Sequence, residues 1–578
     1  MQKTHTANST ERLGRRTITR SCVLKPSLLA VAFFATSQSA SAQQQLPDAG
    51  AQIQQIPPAP TPERAIPVIP VPQAAPPPDA AAEGAVIRVN SLHVTGNTIF
   101  PEAALIAETG FSPGKELTLP ELRNAAAAIT RFYNSRGYFL AQAYLPAQDI
   151  NAGAVTIAVI EGHYGAINLH NQAHLANGVA WRIMNGIEVG DPIAIAPLER
   201  RLLLLSDIPG IVVSSTLSPG VAVGTSDLAV NLTPGRRVTG SLEADNGGNR
   251  YTGIYRFGGT INFNNPTGHG DQISLRALAS TEGLAYGRAA YQAPVGDGTL
   301  GVAYTHLKYE LGQEFADLNA SGDADIFSAF ASYPVKRSRA DNLYAFANFD
   351  VKNLKDEIGV FSTVSRRTIE ALTVGVRGDS RDTFGGGGWN AYSVSVTSGN
   401  LDIKDPFERT NDALTARSAG GFNKLQYSVA RRQTITGPLS LYGAVRGQIA
   451  FDNLDSSEKM ELGGAYAVRA YPEGEGYGDE GYFATLEARL MLDKWTSAIP
   501  GRLALIGFVE TGAVNYAHEP WFSGPNHTTR SGIGTGLIWS GPHDITASAT
   551  YAHRLGDQKT TSGPDRAGRV WFQIAKQF

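Results

Sequence analysis

From residue 236 to the C-terminus the sequence alternates, and this one feature constrains the fold more than any other. Segments of 9–13 residues recur there, with Gly, Pro, Asn and Asp between them. Leu439, Leu441, Val445 and Ile449 alternate with Ser440, Tyr442, Arg446 and Gln448. Tyr482, Ala484, Leu486, Ala488, Leu490 and Leu492 alternate with Thr485, Glu487 and Arg489. The last segment sets Val570, Phe572, Ile574 and Phe578 against Arg569, Gln573 and Gln577. One apolar and one polar face over about ten residues is the pattern of a barrel strand facing lipid outside and water inside. Sixteen such segments start near residues 237, 252, 272, 284, 299, 325, 341, 366, 389, 424, 438, 482, 502, 531, 543 and 568. The number is even, as a closed single-chain bacterial barrel requires. Connections alternate too: 310–324, 400–423, 450–481, 517–530 and 554–566 are long, whereas 294–298, 334–340, 432–438 and 540–543 are tight. Long outer loops and short periplasmic turns have this form. A soluble β-solenoid would instead need a fixed short repeat, and none is found. The reading is a transmembrane antiparallel β-barrel of sixteen strands over residues 236–578.

Composition agrees. Charged residues are 17% of 578, against about 25% in typical soluble domains. No apolar run approaches the roughly 18 residues of a spanning helix. The formal charge of −3 gives no global basic footprint for nucleic acid.

Residues 1–42 read as an export signal. Lys3, Arg12, Arg15, Arg16, Arg20 and Lys25 precede an apolar run at 28–35, and Ala40-Ser41-Ala42 offers a small-residue cleavage site after Ala42. Cys22, the one cysteine, lies inside that segment, so the mature chain has no disulfide or thiol nucleophile. Residues 43–85 hold eleven of the 32 prolines and read as a stiff, extended linker. Within it, 48–56 is read as a short helix that is a candidate plug. From residue 86 two α+β modules follow, each in the order β-α-α-β-β. The first spans 86–162, with a helix over 120–135 whose Leu122, Ala126, Ile129 and Tyr133 share one face. The second spans 163–235, with helices at 179–184 and 197–206. Two tandem modules of this kind suit binding rather than catalysis.

The motifs along these segments resemble the outer-membrane transporters of two-partner secretion, the hemolysin and filamentous-hemagglutinin secretion/activation type. In the first module the match is Gly96-Asn97-Thr98, Tyr133, Gly137-Tyr138, Leu145-Pro146-Ala147-Gln148-Asp149-Ile150 and Val159-Ile160-Glu161-Gly162. In the second it is Asp207-Ile208-Pro209-Gly210, Ser218-Pro219-Gly220 and Gly224-Thr225-Ser226-Asp227-Leu228. The barrel opens with Asp245-Asn246-Gly247-Gly248, Thr252-Gly253 and Arg256, followed by Asn265-Pro266-Thr267-Gly268-His269-Gly270-Asp271. The resemblance covers roughly residues 86–578. It implies that the two modules are periplasmic POTRA (polypeptide-transport-associated) domains. An unfolded client would add to a POTRA strand edge through main-chain bonds and leave through a polar lumen. The implied partner is a secreted exoprotein, a large β-helical adhesin or hemolysin. The lipid bilayer and the outer-membrane barrel-assembly machinery are the other partners, and Phe578, ending the last strand, is the expected assembly signal.

The resemblance also singles out the loop over 450–481. It carries Val468-Arg469-Ala470-Tyr471, close to the family's Val-Arg-Gly-Tyr, with Ala470 in place of Gly. The family folds this loop into the lumen and pairs its Arg with an acid on the thirteenth strand. There Phe508, Glu510 and Gly512 stand at the Phe-x-Asp-x-Gly positions, with Glu for Asp. Arg469 and Glu510 are thus expected to latch the loop. In a water-filled lumen a partly screened pair would contribute only ~1 kcal/mol.

Other signals carry little. Gly476-Tyr477-Gly478-Asp479-Glu480-Gly481 fits a dinucleotide fingerprint but lies outside any β-α-β unit. Asp317-Leu318-Asn319 opens like a calcium loop, but Ser328 stands where its bidentate Glu is needed. No zinc-protease spacing or nucleophile elbow occurs. Glu487 and Arg489 read as a structural charge pair. No cofactor, metal site or catalytic constellation is expected, so the chain is read as a transporter and not an enzyme. The competing reading is an assembly factor of the same superfamily, which usually carries more POTRA modules. A passive porin is less apt, because it does not need residues 86–235.

Overall fold

The computed structural model describes residues 46–60, 86–493 and 499–578. The export signal, its Ala42 cleavage site and the linker over 61–85 lie outside the described residues. The helix expected over 48–56 is α1 (Ala49–Gln54), capped by the Asp48 carboxylate, which accepts from the Ala51 amide at 2.9 Å.

The first module contains β1 (Val86–Val89), β2 (Ser91–Thr95), α2 (Glu102–Glu108), β3 (Lys115–Thr118), α3 (Leu119–Ser135), β4 (Gln142–Tyr144) and β5 (Ala154–Ile160). Its three-stranded sheet has the order β2-β5-β4, with β2 parallel to β5 and on the edge. A separate antiparallel pair, β1 with β3, is an addition to the expected pattern. Helix α3 starts with a full capping box, Thr118 with Glu121, and buries Leu122, Ala126, Ile129 and Tyr133 against the sheet. The second module repeats the plan with β6 (His163–Asn171), α4 (Asn177–Met184), α5 (Ile195–Ser206), β7 (Ile211–Pro219) and β8 (Thr225–Pro234), in the order β6-β8-β7.

The motifs of the first module meet in space. Glu161 is buried and takes hydrogen bonds from the Thr98 amide (2.8 Å), the Thr98 hydroxyl, the Ile99 amide (2.9 Å) and the Tyr133 hydroxyl (2.6 Å). Burial pushes its carboxyl up, but these donors outweigh that and hold it below the ordinary carboxylate value. The Gln148 amide mimics a strand, donating to the Thr156 carbonyl and accepting from its amide, both at 2.7 Å.

The barrel is closed and antiparallel, with sixteen strands. They are β9 (Val238–Asp245), β10 (Arg256–Asn264), β11 (Gln272–Ser280), β12 (Leu284–Val295), β13 (Gly298–Glu310), β14 (Ala320–Arg337), β15 (Asp341–Ile358), β16 (Thr363–Asp382), β17 (Gly388–Ile403), β18 (Gly420–Thr436), β19 (Leu439–Ala450), β22 (Glu480–Met491), β23 (Arg502–Asn515), β24 (His527–Ser540), β25 (Ile545–Arg554) and β26 (Gly568–Gln577). Two short strands, β20 (Met460–Glu461) and β21 (Tyr477–Gly478), pair inside the long loop after β19. Starts read from the sequence lie within five residues of these. The largest differences are at β14, β10, β18 and β24; those at β14 and β18 arise because β14 to β18 run on for 16–20 residues. Their outer ends are polar on the outward face and bury small and apolar side chains around α1 on the inward one, so the lipid-facing alternation does not mark them. The loop after β17 also forms a helix, α6 (Pro406–Leu414), where the sequence reading placed a plain connection.

Alternation sorts the side chains as a membrane demands. On β13, Leu300, Val302 and Tyr304 are exposed outward, while Ala303, Thr305 and Leu307 are buried inward. Closure satisfies the backbone of every strand, which hydrocarbon requires. The closing pair is short: β26 and β9 share five register pairs. Phe578 extends it by exchanging both backbone hydrogen bonds with Gly240, each at 3.0 Å. At the outer end, the Asn246 side chain donates to the Val570 carbonyl and accepts from the Phe572 amide.

The second module sits against the periplasmic turns of the barrel. Arg200 and Arg201 of α5 reach Asp297 (3.1 and 3.0 Å), and Arg337 reaches back to Asp207 at 2.9 Å.

Candidate functional site

The loop between β19 and β22 turns back into the lumen. Its turns are set locally: the Leu462 amide donates to Gly476, Gly463 to Glu475 and Val468 to Leu462. This brings Val468, Ala470 and Tyr471 to the wall, where all three are buried with Phe483, Ile506 and Phe508.

Between Val468 and Ala470, Arg469 reaches β23. Its Nε donates to Glu510 Oε1 at 2.7 Å and its backbone amide to Glu510 Oε2 at 2.9 Å. Its guanidinium carbon sits 3.4 Å from the centre of the Phe508 ring, at stacking distance. Its carbonyl accepts from Trp571 Nε1 at 2.7 Å. A second acid joins: Glu487 accepts from Arg469 Nη2 at 3.3 Å and from Arg489 Nε at 2.5 Å. The charge order is therefore Glu510, Arg469, Glu487, Arg489 along the wall. The sequence reading paired Glu487 with Arg489 alone.

The site is drier than expected. The Glu510 side chain is 2% exposed and that of Arg469 14%. The screened, ~1 kcal/mol pair expected for a watery lumen is corrected accordingly, because a buried pair that loses one partner leaves an uncompensated charge.

The loop tip packs closely on β24. Ala470 lies over Gly532 of β24, where a β-carbon would come within 2.6 Å of the Ala470 methyl. The Phe508 ring lies over Gly534, where a β-carbon would be 2.2 Å away. These two glycines make a flat pad for the loop tip. Gly512 meets the loop at Leu462.

Further anchors, which the sequence reading missed, hold the rest of the loop. Glu458 is clamped by Lys352 (2.6 Å) and Lys424 (2.8 Å), Asp479 by Lys459 (2.5 Å), and Glu475 by Arg530 (2.7 Å). Arg367 ties three elements together. It reaches Asp455 of the loop at 2.6 Å, Asp356 of β15 at 2.6 Å and Asp48, the cap of α1, at 3.0 Å. Helix α1 is inside the barrel, with Ala49 fully buried among wall residues such as Leu307 and Leu354. Gln52 accepts from Thr252 at 2.9 Å, and the Gln55 carbonyl accepts from Arg256 at 2.8 Å. Loop and helix thus occupy the lumen together, share Arg367 and leave a cavity between them and the wall at Ser393, Ser428 and Arg446. Among the described residues no group of His, Cys, Asp and Glu has the arrangement of a metal site.

The described architecture matches known proteins. The family described as "Haemolysin secretion/activation protein ShlB/FhaC/HecB" matches residues 224–534, and the ShlB-type POTRA domain matches residues 87–162. The heme/hemopexin transporter protein HuxB of Haemophilus influenzae strain 86-028NP is 31% identical over 480 residues, covering 80% of this chain and 82% of that protein. The outer membrane transporter CdiB of Dickeya dadantii is 22% identical over 507 residues, covering 86% of each. The solved structure of CdiB from Escherichia coli superposes with a TM-score of 0.69 at 21% identity, covering 87% of this chain and 93% of that one. CdiB from Acinetobacter baumannii gives a TM-score of 0.60 at 18% identity. The barrel crosses the outer membrane and the POTRA domains lie in the periplasm. The chain belongs to the haemolysin secretion/activation family, the outer-membrane transporters of two-partner secretion.

Proposed function

We propose that this chain secretes one large partner exoprotein, a β-helical adhesin or hemolysin, and performs no catalysis of its own. The client binds unfolded at the POTRA edges, and the bond-donating edge of β2 takes an extended segment irrespective of its side chains. The observation that carries this reading is the double closure of the lumen. A wide polar barrel is occupied by a loop and a helix held by ion pairs, which is the build of a conduit opened on demand. Arg469 and Glu510 are the latch of that loop, with Val468, Ala470 and Tyr471 seating its tip and Phe508 and Gly512 receiving it. Residues 1–42 are an export signal cleaved after Ala42, and 43–85 tether the plug helix to the first POTRA domain. The POTRA domains occupy 86–162 and 163–235, and the barrel 236–578. Phe578 presents the nascent barrel to the assembly machinery. Two POTRA modules and the Leu145–Ile150 stretch support secretion over barrel assembly.

The test is co-expression with the exoprotein encoded beside the gene, in a Gram-negative host lacking both. Full-length exoprotein in the medium only when this chain is present is the expected result. A rise in other outer-membrane barrels without export would overturn the reading in favour of an assembly factor.

A further inference from the structure

One row of the barrel wall leads from the periplasmic rim to the latch, and its lower part, from Arg381 to Tyr442, is used by neither latch nor plug. Register places Arg381 of β16 beside Trp389 of β17, Trp389 beside Arg432 of β18, and Arg432 beside Tyr442 of β19. The row continues through Glu487 of β22 to Phe508 of β23. By strand parity it faces the lumen, as do Ser393, Ser428 and Arg446, which line the internal cavity beside the plug and loop. The row climbs. Arg381 is next to the last residue of β16 at the periplasmic rim, and Phe508 is halfway along β23 under the Arg469 guanidinium.

Cations and aromatic faces alternate from Arg381 to Tyr442, after which Glu487, paired with Arg489, precedes Phe508. Arg489 stands 4.8 Å from the centre of the Tyr442 ring. Above the row on β16, Arg377 stands 5.6 Å from the Phe346 ring and lines a cleft of about 350 Å³ that also touches Leu204, Asp207 and Ile208 of the second POTRA domain. Among the described residues Arg377, Arg381 and Arg432 have no acidic partner, and all three are exposed. Asp379 of β16 shares their face and accepts from Asn342, so three guanidiniums stand against one carboxylate on this part of the wall, and the excess positive charge is complementary to something negative. Guanidinium forks take carboxylates bidentately, and aromatic faces accept main chain and apolar groups without regard to sequence.

We propose that this row is a guiding track for an acidic, unfolded segment of the secreted partner. The inference rests on the secretion reading. The segment leaves the second POTRA domain at the cleft, meets Arg381 at the rim with Arg377 just above it, and passes to Arg432. It reaches Arg489 and Arg469 at the top, where its carboxylates compete with Glu487 and Glu510. Charge therefore selects the client and delivers it to the latch.

The probe is a fluorescent 20-residue peptide of Glu, Gly and Ser, compared with versions carrying Gln or Lys at every Glu. Binding to the full chain in lipid nanodiscs is read by anisotropy. The Glu peptide should bind roughly tenfold more tightly than the Gln version, and more tightly still than the Lys version, and added salt should weaken it. The Arg381→Gln/Arg432→Gln double variant should lose roughly tenfold for the Glu peptide alone. Arg377→Gln serves if the double variant does not assemble. Equal binding of the three peptides, or full binding in the variant, would overturn the track. Competition by inorganic phosphate at equal concentration would reduce it to a small-anion site and overturn it too. Absence of exoprotein secretion with peptide binding intact would instead fault the secretion reading.

Discussion

Replacing Arg469 with Ala removes the centre of the charge row. Glu510 and Glu487 are then left facing the vacated space, with side chains 2% and 6% exposed. At an effective dielectric of about 20, a pair at contact distance is worth ~4 kcal/mol before desolvation. Breaking one partner of a buried pair costs ~3–5 kcal/mol, because the remaining charge stays buried. That loss falls on the loop tip and not on the barrel, whose strand ladders are untouched. The remaining anchors at Glu458 and Glu475 keep part of the loop seated. If ~3 kcal/mol of the loss appears in the closed–open equilibrium, the open population rises roughly 150-fold. Single-channel recording in planar bilayers should show more frequent openings for R469A, and secretion should fall because closure no longer answers to the client. The tip also loses its stacking on Phe508, so E510A, which keeps the stack, should be milder. The double variant R469A/E510A removes both charges and should be no worse than R469A alone, with a coupling energy of ~1–3 kcal/mol. Additive defects in the cycle, or unaltered conductance in R469A, would refute the latch.

Deleting residues 86–162 should leave a heat-modifiable barrel at normal levels and abolish export, read by immunoblotting the medium for the exoprotein. Removing Phe578 takes away two backbone bonds at the five-pair seam and should lower the amount of assembled barrel in the outer membrane. Arg367→Gln frees Asp48, Asp356 and Asp455 at once, and conductance of this variant should rise through release of both α1 and the loop. Glu161 has a folded-state pKa below its unfolded one, so its contribution is present above the unfolded value and lost as pH falls through the folded one. Hydrogen exchange over residues 86–162 should therefore accelerate below about pH 4, and Glu161→Gln should flatten that dependence while costing ~1–3 kcal/mol at neutral pH.

The barrel was legible because its rule is local. A strand between lipid and water must alternate, and sixteen segments do, so starts such as 272, 284, 341, 502 and 568 fall on the observed residues. The rule fails where the outward face leaves the lipid. The outer ends of β14 to β18 rise out of the lipid, so their outward face is polar, and there Ser321, Asp323, Asn400 and Asp402 read as loop although Ala324, Leu401 and Ile403 on the inward face are buried around α1. Helix α3 was legible through its apolar stripe, and α1 through its short run between prolines. The strand at 86–89 was legible too, but its partner β3 and helix α6 were not, because a four-residue strand and a nine-residue polar helix carry too few positions for a period.

The site divides along the same line. Arg469 and Glu510 were reachable from the motif and from parity on β23, and Glu487 lies on the lumen face of β22 by the same parity. What sequence could not supply is which lumen-facing charges meet. Arg367 touches Asp48 across 319 residues and Asp455 across 88, and no periodicity links them. The loop and helix enter the lumen as separate pieces, so their partners are chosen by docking and not by register. That also explains the difference between the expected wet latch and the dry one. Parity places Glu510 in the lumen, but its exposure depends on the pad at Gly532 and Gly534, which lets Ala470 and Phe508 close over it. Two glycines one strand away thus decide the dielectric around the pair. Gly532→Val should accordingly lift the tip, wet Glu510 and weaken the latch without altering either charged residue. The same open-state recording in bilayers reads this, and a variant that gates like the wild type would show that the pad does not control the pair.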